Sequence, residues 1–120
     1  MSDSVLFAES LSILKRTQEP FFSQIVTIST HAPNKAPSNP TALSRYPTES
    51  SELVNTMEAF HSLDRQLGSF LDSLKACGLY ERSVIAIVSD HDELGKNVLD
   101  GREHRTLADR EVALVLLNTP

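Results

Sequence analysis

Apolar residues recur along this chain in two patterns, one with the period of a helix and one as short uninterrupted runs. The helical period appears first near the N-terminus, at Phe7, Leu11 and Leu14. The spacing predicts an amphipathic helix that begins at Asp3 or Ser4, since either residue is a good N-cap, and that runs to about Thr17. Pro20 then prevents the helix from continuing.

A second and longer helix is predicted from Ser51 or Asn55 to Ala76. Its apolar positions keep the helical spacing throughout: Met57, Phe60, Leu63, Leu67, Phe70, Leu71 and Leu74. Asn55 with Glu58 three residues later resembles a capping box, which leaves both starting points open. Gly78 follows the stripe at the position where a left-handed residue commonly closes a helix.

Three further apolar runs have the length of strands rather than of helices, and they cover residues 21–29, 84–88 and 112–117. The run at 84–88 is continuous, which is typical of a strand covered on both faces. A long helix followed by such a strand forms an αβ unit, and these units join parallel strands by a right-handed crossover. The pattern therefore predicts an α/β protein with a mostly parallel sheet.

Residues 32–51 break both patterns, because proline, serine, threonine and asparagine dominate them. We predict a long irregular loop there. A loop of this length within a small domain is typical of a binding loop or a mobile lid, and a disordered insertion is an equal alternative.

Polar side chains directly follow two of the predicted strands. Asp90 and His91 come after the run at 84–88, and His31 comes after the run at 21–29. In open α/β sheets functional groups lie just past the carboxyl ends of strands, so we expect these side chains in one cleft. A carboxylate beside an imidazole is a plausible half of a metal site. A polar loop with a capping aspartate is the alternative.

Composition narrows the classes of function. The chain has 120 residues, which suffices for one small domain, and a net charge of −5, which disfavours nucleic acid or an anionic membrane surface as the main partner. A single cysteine, Cys77, excludes an internal disulfide. The sequence has no apolar run of membrane-spanning length and no signal-peptide pattern at its start.

Four segments together form a recognisable set: FFSQIVTISTHAP at 21–33, LDRQLGSFLDSLK at 63–75, GLYERSVI with SDH at 78–91, and REVAL at 110–114. In order and spacing they resemble the sulfatase-like phosphoglycerol transferases, the lipoteichoic acid synthase group of the alkaline phosphatase superfamily. The resemblance implies a partial three-layer αβα sandwich of the alkaline phosphatase-like fold. It also implies that residues 1–120 are the C-terminal part of a larger sulfatase-like catalytic domain.

The resemblance assigns a role to each candidate site residue. It implies that Asp90 and His91 are metal ligands and that His31 contacts the substrate head group. The metal is usually manganese, magnesium or zinc in relatives, with calcium as a further candidate, and it polarises the phosphoryl or sulfuryl group. His104 matches a later histidine that contacts metal or substrate, or else it is a surface histidine in a charged loop. No segment matches the family's nucleophile motif, so we assign no catalytic nucleophile to this chain.

The function implied is that of a metal-dependent transferase or hydrolase of phosphate or sulfate esters. Histidine rather than asparagine after Asp90 favours phosphoglycerol or phosphoethanolamine transfer, with a phospholipid head group as the substrate. The longer enzyme is expected to be anchored in the cytoplasmic membrane with this domain on the extracytoplasmic (periplasmic) side. The chain alone is expected to be inactive, and open sheet edges would favour a homo-oligomer.

Two positions depart from the family pattern and keep a second hypothesis open. Asp92 stands where relatives have glycine, and Asn34 stands where they have phenylalanine. These changes favour a degenerate, non-catalytic sulfatase-like domain used for binding or assembly. A receiver or flavodoxin-like domain is a third interpretation, which the absence of a lysine directly after any predicted strand disfavours.

Overall fold

The computed structural model describes residues 2–31, 51–90 and 113–119, without the side chains of residues 51–53. The elements, in chain order, are helix α1 (Asp3–Leu14), helix α2 (Ser51–Ala76), a short 3-10 helix (Tyr80–Arg82), strand β1 (Ile85–Val88) and strand β2 (Leu114–Leu117). The chain divides into two compact units, Met1–Tyr80 and Glu81–Pro120. The first unit contains both α-helices and the second contains both strands.

The core of the first unit lies where α1 packs on α2. Phe7 of α1 stacks on Phe70 of α2, with ring centroids 4.9 Å apart. Around this pair the buried apolar side chains are Phe7, Ala59, Leu74 and Leu79. The predicted stripes are therefore confirmed at Phe7, Phe70 and Leu74. The prediction is wrong at Phe60, whose side chain is 56% exposed.

Helix α1 is shorter than its apolar pattern predicts. It ends at Leu14 and not at Thr17, because beyond Lys15 the backbone N–H groups bond three residues back instead of four: Arg16 N to Ile13 O at 2.9 Å and Thr17 N to Leu14 O at 3.2 Å. Its N-cap is Ser2, whose carbonyl oxygen accepts the first backbone bonds of the helix. The predicted capping role of Asp3 is wrong, because this residue lies inside the first turn.

Helix α2 matches the earlier of its two predicted starts. It runs from Ser51 to Ala76, so Asn55 lies within the helix and does not cap it. The predicted capping box is therefore wrong, and Glu58 is instead a fully buried residue of α2. Neither described helix is long and apolar enough to cross a membrane.

The end of α2 is closed as the sequence predicts. Gly78 has φ +73°, the left-handed conformation that a residue with a side chain adopts at a cost. The N–H of Gly78 bonds to the oxygen of Lys75 at 3.0 Å, and the N–H of Leu79 bonds to the oxygen of Leu74 at 3.0 Å. These two bonds define a Schellman motif, and the buried side chains of Leu74 and Leu79 supply its apolar contact.

Replacing either described glycine with alanine is expected to change stability in opposite directions. At Gly78 a methyl group would meet no atom within 4 Å, so the whole cost of Gly78→Ala, about 1 kcal/mol, comes from the positive φ. At Gly68, inside α2, the same methyl group also meets nothing, and Gly68→Ala is expected to stabilise the helix by about 0.5 to 1 kcal/mol. Urea unfolding followed by far-ultraviolet circular dichroism measures the change in the free energy of unfolding for each variant. Equal effects of the two changes would contradict this account of the helix end.

Residues 21–29 do not form the strand that their composition predicts. A strand requires a ladder of backbone bonds to a neighbour, whereas the N–H groups of Ile28 and Ser29 donate to a side-chain carboxylate. The apolar side chains of this stretch are largely exposed, with Phe22 at 90% and Val26 at 64%. The stretch is therefore held to α1 by side-chain anchoring and not by sheet pairing.

The two described strands pair with each other in antiparallel register, with Ile85 opposite Leu117 and Val88 opposite Leu114. The N–H of Ser89 bonds to the oxygen of Ala113 at 3.0 Å, which extends the ladder past the strand ends. The runs at 84–88 and 112–117 are thus confirmed as strands, each with a later start than predicted. The mostly parallel sheet remains a prediction, because the pairing formed by these two strands is antiparallel.

The predicted covering of β1 on both faces is wrong for this chain. Exposure alternates along the strand, with Ile85 and Ile87 half-buried and Ala86 and Val88 exposed. In β2 the side chains of Leu114 and Leu116 are 60% and 52% exposed. So much exposed apolar surface is typical of a sheet that is completed by further structure or by a partner.

Candidate functional site

His31 lies at the end of a tight turn. Its N–H bonds to the oxygen of Ile28 at 3.0 Å, so residues 28–31 form a β-turn that ends on the histidine. Ser29 and Thr30, the two central residues, are half-buried, whereas His31 itself is exposed. The turn therefore presents the imidazole to solvent from a backbone that is held in place.

The same turn is anchored by a residue that the sequence pattern assigned to helix capping. The N–H of Ile28 donates to Oδ1 of Asp3 at 3.2 Å, and the N–H of Ser29 donates to Oδ2 of Asp3 at 3.1 Å. Asp3 is only 1% exposed. A carboxylate so deeply buried requires hydrogen bonds, which the two N–H groups provide, and the first turn of α1 adds the favourable end of the helix dipole.

Asp90 lies immediately beyond the β1–β2 ladder. The bond from Ser89 N to Ala113 O fixes the backbone just before it. The side chain of Asp90 is exposed. A carboxylate has the hard oxygen atoms that divalent cations prefer, and the role of Asp90 as a metal ligand stays a prediction.

The remaining predicted site residues, His91 and His104, lie outside the described residues, as do Asn34 and Asp92. His31 belongs to the first unit and Asp90 to the second. Their shared cleft therefore stays a prediction.

A zinc site needs three or four protein ligands near one point. Within residues 2–31, 54–90 and 113–119, no group of three or more histidine, cysteine, aspartate or glutamate side chains could hold an ion. Asp90 has the right chemistry for one ligand, but the described residues by themselves do not fit a complete metal site. The other ligands of such a site would have to come from residues outside those that the structure describes.

Comparison with protein families gives a match that covers most of the chain. The model of the family described as Sulfatase matches residues 1–114. No solved structure is significantly similar to the chain.

Individual relatives point to one group of proteins. The chain is 30% identical over 97 residues to lipoteichoic acid synthase 2 of Bacillus subtilis and 29% identical to lipoteichoic acid synthase 1 of the same species. It is 26% identical to a lipoteichoic acid synthase of Staphylococcus aureus. Each alignment covers 81% of this chain but 15% of the relative, so the chain spans about a seventh of the length of the curated relatives it matches.

Proposed function

This chain belongs to the sulfatase family, and from that premise we propose that it forms part of a phosphoglycerol transferase acting on a phospholipid head group. The observation that carries the proposal is the similarity to lipoteichoic acid synthases over 97 residues. That stretch is 81% of the chain, so the likeness extends well beyond a single short motif. Phosphoethanolamine transfer and sulfate-ester hydrolysis are neighbouring activities in the same chemical class.

His31 is the residue proposed to contact the substrate. Its exposure at the end of an anchored turn supports this role, because an imidazole held in this way can donate a hydrogen bond to a phosphate oxygen. The turn limits where the ring can travel. Such preorganisation reduces the entropy lost on binding.

Asp90 and His91 are proposed to be two ligands of a divalent metal, with manganese, magnesium or zinc as the main candidates and calcium as another. The exposed carboxylate of Asp90 at the end of β1 supports the proposal. His104 is proposed as a further contact to the metal or to the substrate. The nucleophile and the other ligands are proposed to lie outside residues 1–120, so this chain alone is expected to have no turnover.

The cellular setting is also a proposal. By analogy with the family, the domain would work on the extracytoplasmic side of a membrane-anchored protein. Exposed apolar side chains on both strands, among them Val88 and Leu114, would be covered by the rest of such a domain or by a second copy of the chain.

A degenerate binding domain is the second candidate, favoured by Asp92 and Asn34. Both positions differ from the family pattern next to proposed site residues. The two candidates differ in what they bind: a transferase domain recognises a glycerophosphate head group, whereas a domain kept for assembly has no such requirement.

The test is a titration of the purified protein with sn-glycerol 1-phosphate, followed by nuclear magnetic resonance. We expect saturable shifts at His31 and a roughly tenfold weaker affinity in His31→Ala, because a charge-assisted hydrogen bond is lost. His61→Ala, which changes a half-buried histidine of α2, is the matched control. Free glycerol and inorganic sulfate distinguish recognition of phosphate from recognition of the alcohol or of sulfate.

Two results would count against the proposal. Equal affinities of the wild type and His31→Ala would remove His31 from the site. Absence of any saturable binding of sn-glycerol 1-phosphate would overturn the proposal that this chain recognises a glycerophosphate head group.

A further inference from the structure

The stretch that leads to His31 returns along α1 from one end of the helix to the other. The chain leaves α1 at Leu14, and by Ile28 it is hydrogen-bonded to Asp3 in the first turn. A helix of 12 residues is about 18 Å long, so the stretch covers roughly that distance before it reaches the turn. Residues 21–28 form no strand, and the Asp3 carboxylate ties the end of this stretch to the helix through two hydrogen bonds.

We infer that Asp3 is a positioning residue, whose buried carboxylate fixes the turn that carries His31 and thereby the point from which the imidazole meets a phosphate ester. The inference rests on the role of His31 in the proposed function. It assigns to Asp3 a task that the helix-capping pattern does not suggest.

The geometry of the two bonds explains why a carboxylate is needed. Two consecutive N–H groups, of Ile28 and Ser29, each meet one oxygen of the same side chain, at 3.2 and 3.1 Å. Two bonds to one rigid group fix both the position and the rotation of the peptide between them. The turn closed by the bond from His31 N to Ile28 O begins at this peptide, so its orientation is transmitted directly to the histidine.

Asparagine at position 3 tests this geometry with little change in volume. Its carbonyl oxygen can still accept one N–H, but its amide nitrogen would face the other N–H, and two donors repel each other. The buried position, 1% exposed, leaves little room for water to repair the lost bond. Alanine at the same position removes both acceptors.

The experiment measures amide hydrogen exchange and the imidazole resonances of His31 in the wild type, Asp3→Asn and Asp3→Ala. We expect exchange at least about tenfold faster at Ile28 or Ser29 in Asp3→Asn and at both residues in Asp3→Ala, with shifted His31 resonances. Exchange in α2 should stay unchanged in Asp3→Asn. Glu9→Gln is the matched control, because it removes the same charge from an exposed position of the same helix.

The outcomes separate positioning from general stability. Unchanged exchange at both amides, or unchanged His31 resonances, would overturn the inference, and so would an equal acceleration throughout α1 and α2. If Asp3→Ala fails to fold, the isosteric Asp3→Asn still decides whether Asp3 positions the turn that carries His31.

A titration with sn-glycerol 1-phosphate then links the inference to the proposed function. We expect Asp3→Asn to weaken binding about tenfold, in line with His31→Ala, whereas Glu9→Gln should bind as the wild type does. If the wild type itself does not bind, the proposed function fails, while exchange and His31 resonances still decide the role of Asp3.

Discussion

Phe7→Ala is expected to destabilise the first unit by about 3 to 5 kcal/mol, the largest effect of any single change considered. Phe7 is 7% exposed and stacks on Phe70 at 4.9 Å, so truncation opens a cavity and removes an aromatic contact. Urea unfolding followed by circular dichroism at 222 nm measures this directly, because both α-helices lie in that unit.

Phe22→Ala provides the matched control, since it deletes the same side chain at a position that is 90% exposed. We expect a change within about 0.5 kcal/mol. Phe70→Ala and the double variant complete a cycle whose coupling energy should be about 0.5 to 1.5 kcal/mol. Similar losses in Phe7→Ala and Phe22→Ala would mean that the contact between α1 and α2 is not the core of this unit.

Asp90→Ala is expected to lower the affinity of this chain for Mn²⁺ by at least about tenfold, because it removes one of the ligands that the chain itself is proposed to supply. Loss of a residue that only orients a metal ligand already lowers metal affinity about 10- to 100-fold, so loss of a ligand should lower it no less. Isothermal titration with MnCl₂ measures the affinity without requiring turnover.

The matched control for Asp90→Ala is Asp72→Ala. Asp72 is an exposed aspartate of α2 whose ion pair with Lys75, at 3.3 Å, is solvent-accessible and therefore worth little. An unchanged Mn²⁺ affinity in Asp90→Ala would remove this residue from the ligand set. Equal losses in the two variants would indicate nonspecific binding to surface carboxylates.

The helical parts of the fold are predictable from the sequence because their signals are local. The stripe of α2 and its closing residue, Gly78, depend on neighbours three to six positions away; Gly78 is confirmed, and so is the stripe at Phe70 and Leu74, though not at Phe60. The ends of α1 are less predictable. Thr17 lies in a tighter turn because N–H groups near a helix end can bond three or four residues back at nearly equal cost.

Sheet structure is less predictable, because a strand exists only with its partner. The runs at 21–29 and 84–88 are both rich in apolar and β-branched residues, yet β1 is a paired strand and the other stretch is not. No local feature reveals that Ile28 and Ser29 donate to a side chain 25 and 26 residues earlier. The antiparallel pairing of β1 with β2 likewise joins residues that are far apart in the sequence, so no local pattern predicts it.

At the candidate site, too, local features are predictable from the sequence and long-range contacts are not. A polar residue after an apolar run makes Asp90 and His31 candidates from the sequence alone, and in the structure Asp90 lies just beyond strand β1 and His31 at the end of a turn. The supporting role of Asp3 is invisible in the sequence, because an aspartate near a helix start already has an adequate local explanation as a cap. Whether Asp90 and His31 meet depends on long-range placement, and their common site remains a proposal.

The bond between Ser89 and Ala113 has a consequence for engineering. This bond holds the end of β1 beside the start of β2, so residues added between Ser89 and Ala113 need not separate the two strands. Doubling a flexible connection costs only about 0.6 kcal/mol. Insertions between the strands are therefore expected to leave the β1–β2 ladder in place.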